Sequence, residues 1–446
     1  MSLETVAQIV DGLVPNAMKV NGVPGVAIGA VLGETELFRC FGVADVKGST
    51  AITPDTLFQV GSIAKSLTGL LIQQLVQEGR LGLDVPVATY LPELDLADAG
   101  VTSSVTCRHL LAHLGGFEGD FFVDTGDEAN AHARYVAALR DAPQRVPFDW
   151  LFSYSNAGYA VLGRVVEVLR AIPYEDAARR FVFQPLGLSR TTFAWETPQP
   201  PVATGHVMHS SVRAVQPWRL FRSYAAWGGL VMSLADFVTY ARFFIGQHGA
   251  SVLAGSARER LWERLYAPAK SPWAMGWLPG QTVGAVRLLR TGGTAVSQNA
   301  SAVLVAEESF ALITMTNGDQ GARIGFDVST AVLAERYGLR EPAPTHIEVP
   351  ADQLSQYVGR YNAAIYSIEI GLDGDGLWVD ALRVGGMDAH QSPHPAPLPR
   401  MRLDFFVDDR ATIRSGPFAG QFVHFVRDPS GHVGWVRFYG RLTPRT

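Results

Sequence analysis

The sequence predicts an α/β (α+β) fold in which a mixed antiparallel sheet packs with a helical region, followed by a second, small all-β domain. Strand-like segments lie near the start of the chain and again around residues 283–317, with helical patterns between them. Short alternating strands separated by turns dominate after residue 350. A chain of 446 residues is long enough to build both units.

The first predicted elements are an N-terminal helix, a strand hairpin and a second helix. The hairpin turns near Gly33 and Glu34, within VPGVAIGAVLGETELFRCFGVADV. The second helix runs from Ser62 to about Glu78 and is closed by Gly79. Apolar residues recur along it at helical spacing: Ile63, Leu67, Leu70, Leu71 and Leu75. Its other face is polar or small and is expected to point the first turn into a cleft: Ser62, Lys65, Ser66 and Gly69.

The middle of the chain is rich in helical patterns. AGYAVLGRVVEVLRA predicts a helix, and AAWGGLVMSLADFVTYARFF predicts a loop that runs into a helix. Three strand-like segments follow: VGAVRLLRTGG, NASAVLVA and FALITMTN. Because strands occur at both ends of this region, we expect one sheet built from distant parts of the chain.

The second domain is set off by a change in pattern. Residues 1–340 form the predicted first domain, the Pro-rich residues 341–350 the linker, and residues 351–446 an antiparallel β domain. Within the last range, hairpins are predicted around Asp373-Gly374 and around Pro429-Ser430-Gly431.

Composition excludes several classes of function. The net charge of −5 and the absence of a basic stripe argue against nucleic-acid binding. Apolar runs such as residues 23–32 are short and interrupted by glycine, so no membrane span is expected. The N-terminal residues lack the basic and apolar regions of a signal peptide, which predicts a cytoplasmic protein. Cys40 and Cys107 are too few for a disulfide framework.

Lys65 is one of only four lysines, and it follows Ser62 by three residues at the start of a helix. Side chains with this spacing meet on one helix face. The positive end of the helix dipole disfavours a protonated amine, and free backbone N–H groups there can stabilise an oxyanion. A neutral lysine can therefore act as the base for a serine nucleophile. The alternative is a surface lysine in a spacing that often occurs by chance.

Two further segments carry candidate residues. Tyr154 and Asn156 lie just before a predicted helix, where a phenol can relay a proton and an amide can hold a substrate carbonyl. The alternative is an aromatic core residue beside an Asn cap. The residues of RTGG (290–293) end a predicted strand, and their glycines allow a ligand to lie close, although an ordinary glycine turn is as good an explanation.

In this order, S-x-x-K (62–65), Y-S-N (154–156) and R-T-G (290–292) resemble the three motifs of serine β-lactamases and penicillin-binding proteins. RHLLAHLGGF, FQPLGLSRTTF and WGGLVMSLADFVTYARFF are similar to the class C β-lactamase-like branch, which includes esterases and D-aminopeptidases. The resemblance covers about residues 5–335 and implies a β-lactamase/transpeptidase-like fold there.

The resemblance also implies roles. Ser62 would be acylated, Lys65 would be the general base and Tyr154 would complete the proton relay. The oxyanion would be bound by the backbone N–H groups of Ser62 and Gly293. Substrate would be bound by Asn156, Arg290, Thr291, Gly292 and Gly293. No metal or cofactor is implied.

Arg290 departs from the family pattern, which has lysine or histidine at this position. An arginine can anchor a carboxylate or support Tyr154 electrostatically, but it cannot exchange a proton. The chain uses arginine nearly everywhere, so Lys65 stands out as a lysine kept where titration matters.

Two metal-site hypotheses are weak. His109 and His113 have the spacing of two zinc ligands on a helix, but residue 110 is leucine where a zincin has glutamate. The DGDG of residues 373–376 is reminiscent of a calcium loop, but it lacks the glutamate at the twelfth position and suits a hairpin turn.

The C-terminal domain is similar to the lipocalin-like module that follows some members of this family, with LSQYVGRYN as its opening. If the module covers the cleft, Arg441 could hold a substrate carboxylate. The alternative for Arg441 is a solvated charge on an edge strand.

The sequence leaves three functions open. The first is a thioesterase of the penicillin-binding-protein type, which takes a peptide from a carrier-protein thioester and cyclises it; we favour this one. The second is a cytoplasmic esterase, amidase or D-aminopeptidase, which would release a peptide or ester acyl group to water. The third is a non-catalytic binding homologue, and Arg290 is the only feature of the sequence that supports it.

Overall fold

The structure is a computed structural model that describes residues 2–208, 211–216, 218–283, 286–340, 344–374, 376–385, 400–416 and 418–446. Its α-helices are α1 Leu3–Asn21, α2 Ala64–Gln77, α3 Ala99–Ser104, α4 Cys107–Leu111, α5 Ala131–Ala138, α6 Asn156–Arg170, α7 Tyr174–Ala178, α8 Gln184–Leu186, α9 Leu234–Phe244, α10 Gly255–Glu259, α11 Gly321–Tyr337 and α12 Ala351–Leu354. Among the described residues, no helix combines the length and apolar character needed to cross a bilayer.

The strands fall into a first group before residue 320 and a second group after residue 358. The first group is β1 Gly25–Leu32, β2 Thr35–Gly42, β3 Leu57–Gly61, β4 Thr192–Phe193, β5 His206–Met208, β6 Val212–Ala214, β7 Leu230–Ser233, β8 Leu278–Val283, β9 Val286–Ala295, β10 Gln298–Val305 and β11 Phe310–Thr316. The second group is β12 Gly359–Asn362, β13 Tyr366–Asp373, β14 Gly376–Arg383, β15 Met401–Val407, β16 Arg410–Ile413, β17 Phe422–Arg427, β18 Val433–Phe438 and β19 Arg441–Pro444.

The main sheet of the first domain joins both ends of that domain, as predicted. Its order is β2-β1-β11-β10-β9-β8, and its pairs are antiparallel. One face packs on α1 and α11 around Val10, Ile28 and Val328. The other face joins a large core shared with the helical region, to which α2 and α6 contribute. The predicted mixed sheet is thus an antiparallel one, and the fold class is confirmed.

The segment before α9 differs from the prediction. Residues 230–233 form strand β7 rather than a loop, because all four are buried and pair with β3 and β4. The resulting small sheet, in the order β3-β7-β4, ends next to α2.

α2 is a buried helix at the centre of the first domain. It starts at Ala64, two residues after the predicted start, and every residue from Ala64 to Leu75 is buried. At the N-terminal end, Ser62 in the turn before the helix is partly exposed, and at the other end Val76 and Gln77 reach the surface. The face expected to point into a cleft is instead covered beyond the first turn, since Ser66 contacts Tyr240 and Gly69 packs against the backbone of Met275.

The C-terminal domain is a separate eight-stranded antiparallel meander in the order β12 to β19. A bridge between Tyr361 and Arg445 brings its first and last strands together, so the barrel is nearly closed. It has its own core, which includes Ile370, Phe405 and Phe425. Both predicted hairpins are present as β13–β14 and β17–β18, although Asp375 lies outside the described residues. The exact domain boundaries and linker stay predictions, and residues 341–343 also lie outside the described ranges.

The two domains meet at the segment that carries Tyr154. The Tyr154 backbone N–H donates to the Gly440 carbonyl at 2.9 Å. The Leu442 N–H donates to Ser153 Oγ at 3.1 Å, and Trp435 Nε1 donates to the Arg145 carbonyl at 3.0 Å. The turn between β18 and β19 is therefore hydrogen-bonded to Tyr154 of the predicted second motif.

Candidate active site

Ser62 lies in the tight turn between β3 and α2. Gly61 makes this turn possible, because its φ of 53° is in the left-handed region and a side chain there would run into the backbone of Thr294. The Ser62 carbonyl accepts from the Lys65 N–H at 3.0 Å, which starts the helix. The Ser62 hydroxyl thus stands at the helix N-terminus, as the sequence predicts.

Lys65 is fully buried and contacts Ser62. Its Nζ lies 3.2 Å from Ser62 Oγ and donates to Asn156 Oδ1 at 2.7 Å and to the Trp227 carbonyl at 2.8 Å. The last two atoms can only accept hydrogen bonds. The two hydrogens of a neutral amine are therefore held by Asn156 and Trp227, and its lone pair is left facing Ser62 Oγ.

The surroundings of Lys65 favour this neutral form. Burial and the nearby Arg441 guanidinium hold the pKa of the Lys65 amine well below its usual value, while Asp120 acts in the opposite direction. A lysine in this state can take the Ser62 proton at neutral pH.

Tyr154 is the second partner of the nucleophile. Its hydroxyl donates to Ser62 Oγ at 2.7 Å. Its ring stacks on His113 at 4.6 Å between centroids, and His113 Nδ1 accepts from the Ser155 N–H at 3.0 Å. Burial raises the pKa of Tyr154 to about 12, so its phenol stays protonated and can supply a proton to a leaving group.

Gly293 lies against the turn that holds Ser62. A side chain at Gly293 would overlap the Ser62 backbone nitrogen and the Val60 carbonyl. The approach of β9 to this turn therefore requires glycine. It brings Gly293 and the Ser62 nitrogen together, the arrangement that the predicted oxyanion site needs.

Asn156 belongs to a polar cluster that reaches the C-terminal domain. Its Oδ1 accepts from Lys65, and its Nδ2 donates to Asp120 Oδ1 at 2.7 Å. Asp120 in turn pairs with Arg441 through both guanidinium nitrogens Nε and Nη2. The Arg441 guanidinium also lies 4.8 Å from the centre of the Tyr154 ring.

Arg441 therefore lies at the site, as expected if the C-terminal domain covers the cleft. Its guanidinium is already paired with the Asp120 carboxylate. Whether it also holds a substrate carboxylate stays a prediction. Sequence reasoning missed Asp120, which lies in the GGFEGD loop (115–120) and outside the three motifs. The local signal in the sequence is an acidic residue that closes a glycine-rich loop, and only the structure shows that Asp120 is buried there.

The third motif divides between the two faces of β9. Thr291 is buried, and its hydroxyl donates to the Gly276 carbonyl at 3.2 Å. Arg290 points to the opposite face and lines a cavity with Leu288 of the same strand and Leu333 of α11. Since side chains alternate along a strand, Arg290 and Gly292 face away from the side on which Gly293 meets Ser62. Substrate binding by Arg290, Thr291 and Gly292 stays a prediction, and for Arg290 this placement does not favour it.

The two histidines weighed as zinc ligands have separate surroundings. His109 completes a capping box with Thr106 and lies 3.2 Å from Asp149, whereas His113 packs on Tyr154. Within the described part of the chain, no group of three or more metal-binding side chains comes together.

Comparison with known proteins identifies the family of the first domain. Residues 10–335 match the Beta-lactamase family. Penicillin-binding protein 4 from Amycolatopsis lactamdurans is 34% identical over 335 residues, covering 72% of this chain and 87% of the relative.

Two solved structures show how far the fold extends. SurE matches with a TM-score of 0.76 at 24% identity over 100% of both chains, and SurE with D-Leu matches with 0.75. The D-amino acid amidase from Ochrobactrum anthropi SV3 has a TM-score of 0.62 at 23% identity and covers 74% of this chain and 99% of its own. The fold of SurE therefore matches both domains of this protein. The chain belongs to the Beta-lactamase family, a family of serine hydrolases and acyltransferases.

Proposed function

We propose that the protein is an acyltransferase that forms a peptidyl ester on Ser62 and releases the peptide as a ring, in the manner of a penicillin-binding-protein-type thioesterase. The observation that carries the acyl transfer is the position of Ser62 Oγ, 3.2 Å from Lys65 Nζ and 2.7 Å from the Tyr154 hydroxyl. The donor would be a linear peptide held as a thioester on a carrier protein. The cytoplasmic location predicted from the sequence is part of this proposal.

The proposed reaction has two steps. In the first, Ser62 Oγ attacks the thioester carbonyl while its proton passes to neutral Lys65. The C–S bond then breaks, and the thiol leaves with a proton delivered by way of Tyr154. In the second, the N-terminal amine of the same peptide attacks the Ser62 ester, the bond to Ser62 Oγ breaks, and the amine proton returns to Oγ through the same pair.

The position of the C-terminal domain supports cyclisation over hydrolysis. Its turn at Gly440 is bonded to Tyr154, and Arg441 lies over the Tyr154 ring. A domain packed this close to the nucleophile restricts the access of bulk water to the acyl group, which favours an amine of the peptide as acceptor. The alternative is hydrolysis, as in a cytoplasmic esterase, amidase or D-aminopeptidase, and the experiment must distinguish hydrolysis from cyclisation.

The test is a linear peptide thioester with a D-residue at its C-terminus, with products followed by mass spectrometry. We expect a cyclic product, one water lighter than the linear acid, and an acyl adduct on Ser62. Ser62→Ala should give neither, whereas Ser66→Ala in the first turn of α2 should give both. A wholly linear product, together with rapid cleavage of p-nitrophenyl esters or D-amino acid amides, would assign the protein to the hydrolases. The absence of any Ser62 adduct would favour the non-catalytic homologue.

A further inference from the structure

Asp120 is a buried carboxylate that contacts Asn156, the residue that holds the proposed general base Lys65. It is 4% exposed. Its Oδ1 accepts from Asn156 Nδ2 at 2.7 Å and from Arg441 Nη2 at 3.1 Å, and its Oδ2 accepts from Arg441 Nε. It therefore joins a residue of the second motif to a residue of the C-terminal domain.

The chemistry of the Asn156 amide makes this contact informative. An amide has one end that donates and one that accepts, and the two can exchange by rotation of the side chain. An ionised carboxylate only accepts, so Asp120 holds the Nδ2 end of Asn156. The Oδ1 end is then left for Lys65. With the amide reversed, Nδ2 would donate to the Lys65 lone pair and remove it from Ser62.

Arg441 supplies what a buried carboxylate needs. Removing a charge from water is costly unless the charge is paired and hydrogen-bonded. The Arg441 guanidinium meets the carboxylate with two N–H groups, a geometry that suits this pair. The C-terminal domain thus completes the arrangement around the first domain's nucleophile.

We propose that Asp120 is a positioning residue for the acylation of Ser62: it sets the orientation of the Asn156 amide, and Arg441 holds Asp120 in place. The inference rests on the proposed acylation of Ser62. It adds that the C-terminal domain, through Arg441, helps to position the residues that activate Ser62 in the first domain.

Asp120 and Arg441 carry opposite charges and shift the pKa of Lys65 in opposite directions. The ionisable groups around Lys65 are Asp120, Arg441 from β19, His113 after α4, Tyr154 and Tyr159. Arg441 lowers the pKa of Lys65 and Asp120 raises it. Loss of Arg441 should move the acid limb of acylation to higher pH, since Lys65 must be neutral to act. Loss of the Asp120 charge should move it to lower pH.

The experiment compares Asp120→Asn with Arg441→Gln, using a fluorophosphonate probe and intact mass to follow the rate of Ser62 labelling against pH. For Asp120→Asn we expect a loss of about 100-fold, the low end of what a positioned proton acceptor contributes. No pH should restore it, because an amide at 120 can pair with either orientation of Asn156. For Arg441→Gln we expect a loss at neutral pH that high pH recovers only in part, because high pH restores neutral Lys65 but not the paired hydrogen bonds that hold Asp120. Arg441→Lys, which keeps the charge, should recover most of the rate.

Glu118→Gln is the matched control. Glu118 is a second buried carboxylate in the same loop, bonded to Arg145, to the Ala364 N–H of the C-terminal domain and to the Asp120 backbone N–H. Glutamine keeps a side-chain oxygen that can accept from the Asp120 N–H, so this variant removes the charge without removing that acceptor. Loss of the charge should lower the melting temperature without moving the acid limb. Equal pH profiles for Asp120→Asn and the wild type, or shifts in the same direction for Asp120→Asn and Arg441→Gln, would overturn the inference. A wild-type protein unlabelled at Ser62 would instead overturn the proposed function.

Discussion

Replacing Lys65 with arginine should lower the rate of Ser62 labelling by on the order of 10³-fold, although the positive charge is kept. A guanidinium stays protonated at any pH at which the protein is folded, so it cannot take the Ser62 proton. It would also present N–H groups to Ser62 Oγ, where the structure has a lone pair facing that atom. Labelling with a fluorophosphonate, followed by intact mass, measures the effect.

Two further variants separate chemistry from folding in this experiment. Lys47→Arg is the matched control, because Lys47 is exposed and should tolerate arginine with no change in rate. Lys65→Met keeps an unbranched side chain, one atom shorter than lysine, and removes the amine. It should lose the rate to a similar extent while remaining folded by thermal melting, because the side chain is buried. A Lys65→Arg protein that labels Ser62 at the wild-type rate would show that Lys65 is not the base.

The second large effect is expected at Gly293. Gly293→Ala would place a methyl group on the Ser62 nitrogen and the Val60 carbonyl, so β9 and the turn at Ser62 must separate. The two N–H groups proposed to bind the oxyanion would then no longer converge. We expect the labelling rate to fall by about 10²- to 10³-fold, the usual cost of losing one such donor.

Gly292→Ala provides the comparison for this substitution. A methyl group at Gly292 would meet the Ala300 carbonyl at 3.4 Å, which is a tolerable contact. Its rate should fall far less than that of Gly293→Ala. If the two alanine variants lose the rate equally, the effect belongs to the strand as a whole rather than to the oxyanion site.

The parts of the site that could be predicted from sequence are those whose geometry depends on residues close together in the chain. Ser62 and Lys65 are one helical turn apart, so their contact follows from helix geometry. Tyr154 could be assigned only through the family resemblance, because nothing within its own segment says that it meets Ser62. The two C-terminal hairpins and five of the six strands of the main sheet, β1, β2, β9, β10 and β11, are predicted by alternation and turn residues. β8 is not predicted, and β7 is four residues long and gives too short a pattern to detect.

Asp120 and Arg441 show why the remainder could not be predicted. They are 321 positions apart, and each has an ordinary explanation when considered alone. Their pairing depends on how the two domains dock, which no local pattern records. The alternation of side chains along a strand, by contrast, does predict where Arg290 points. Arg290 and Gly293 are three residues apart, so they lie on opposite faces of β9.

The contacts around Ser62 also constrain the order in which the molecule acquires its shape. The nucleophile meets Tyr154 from 92 positions away, Lys65 meets Trp227 from 162, and Asp120 meets Arg441 from 321. Contacts between such remote segments carry a large loop-closure entropy and form after local structure. A chain in which α2 had formed before these contacts would carry Ser62 without Tyr154 and without the hydrogen-bond partners of Lys65, so its serine would not yet be activated for acylation.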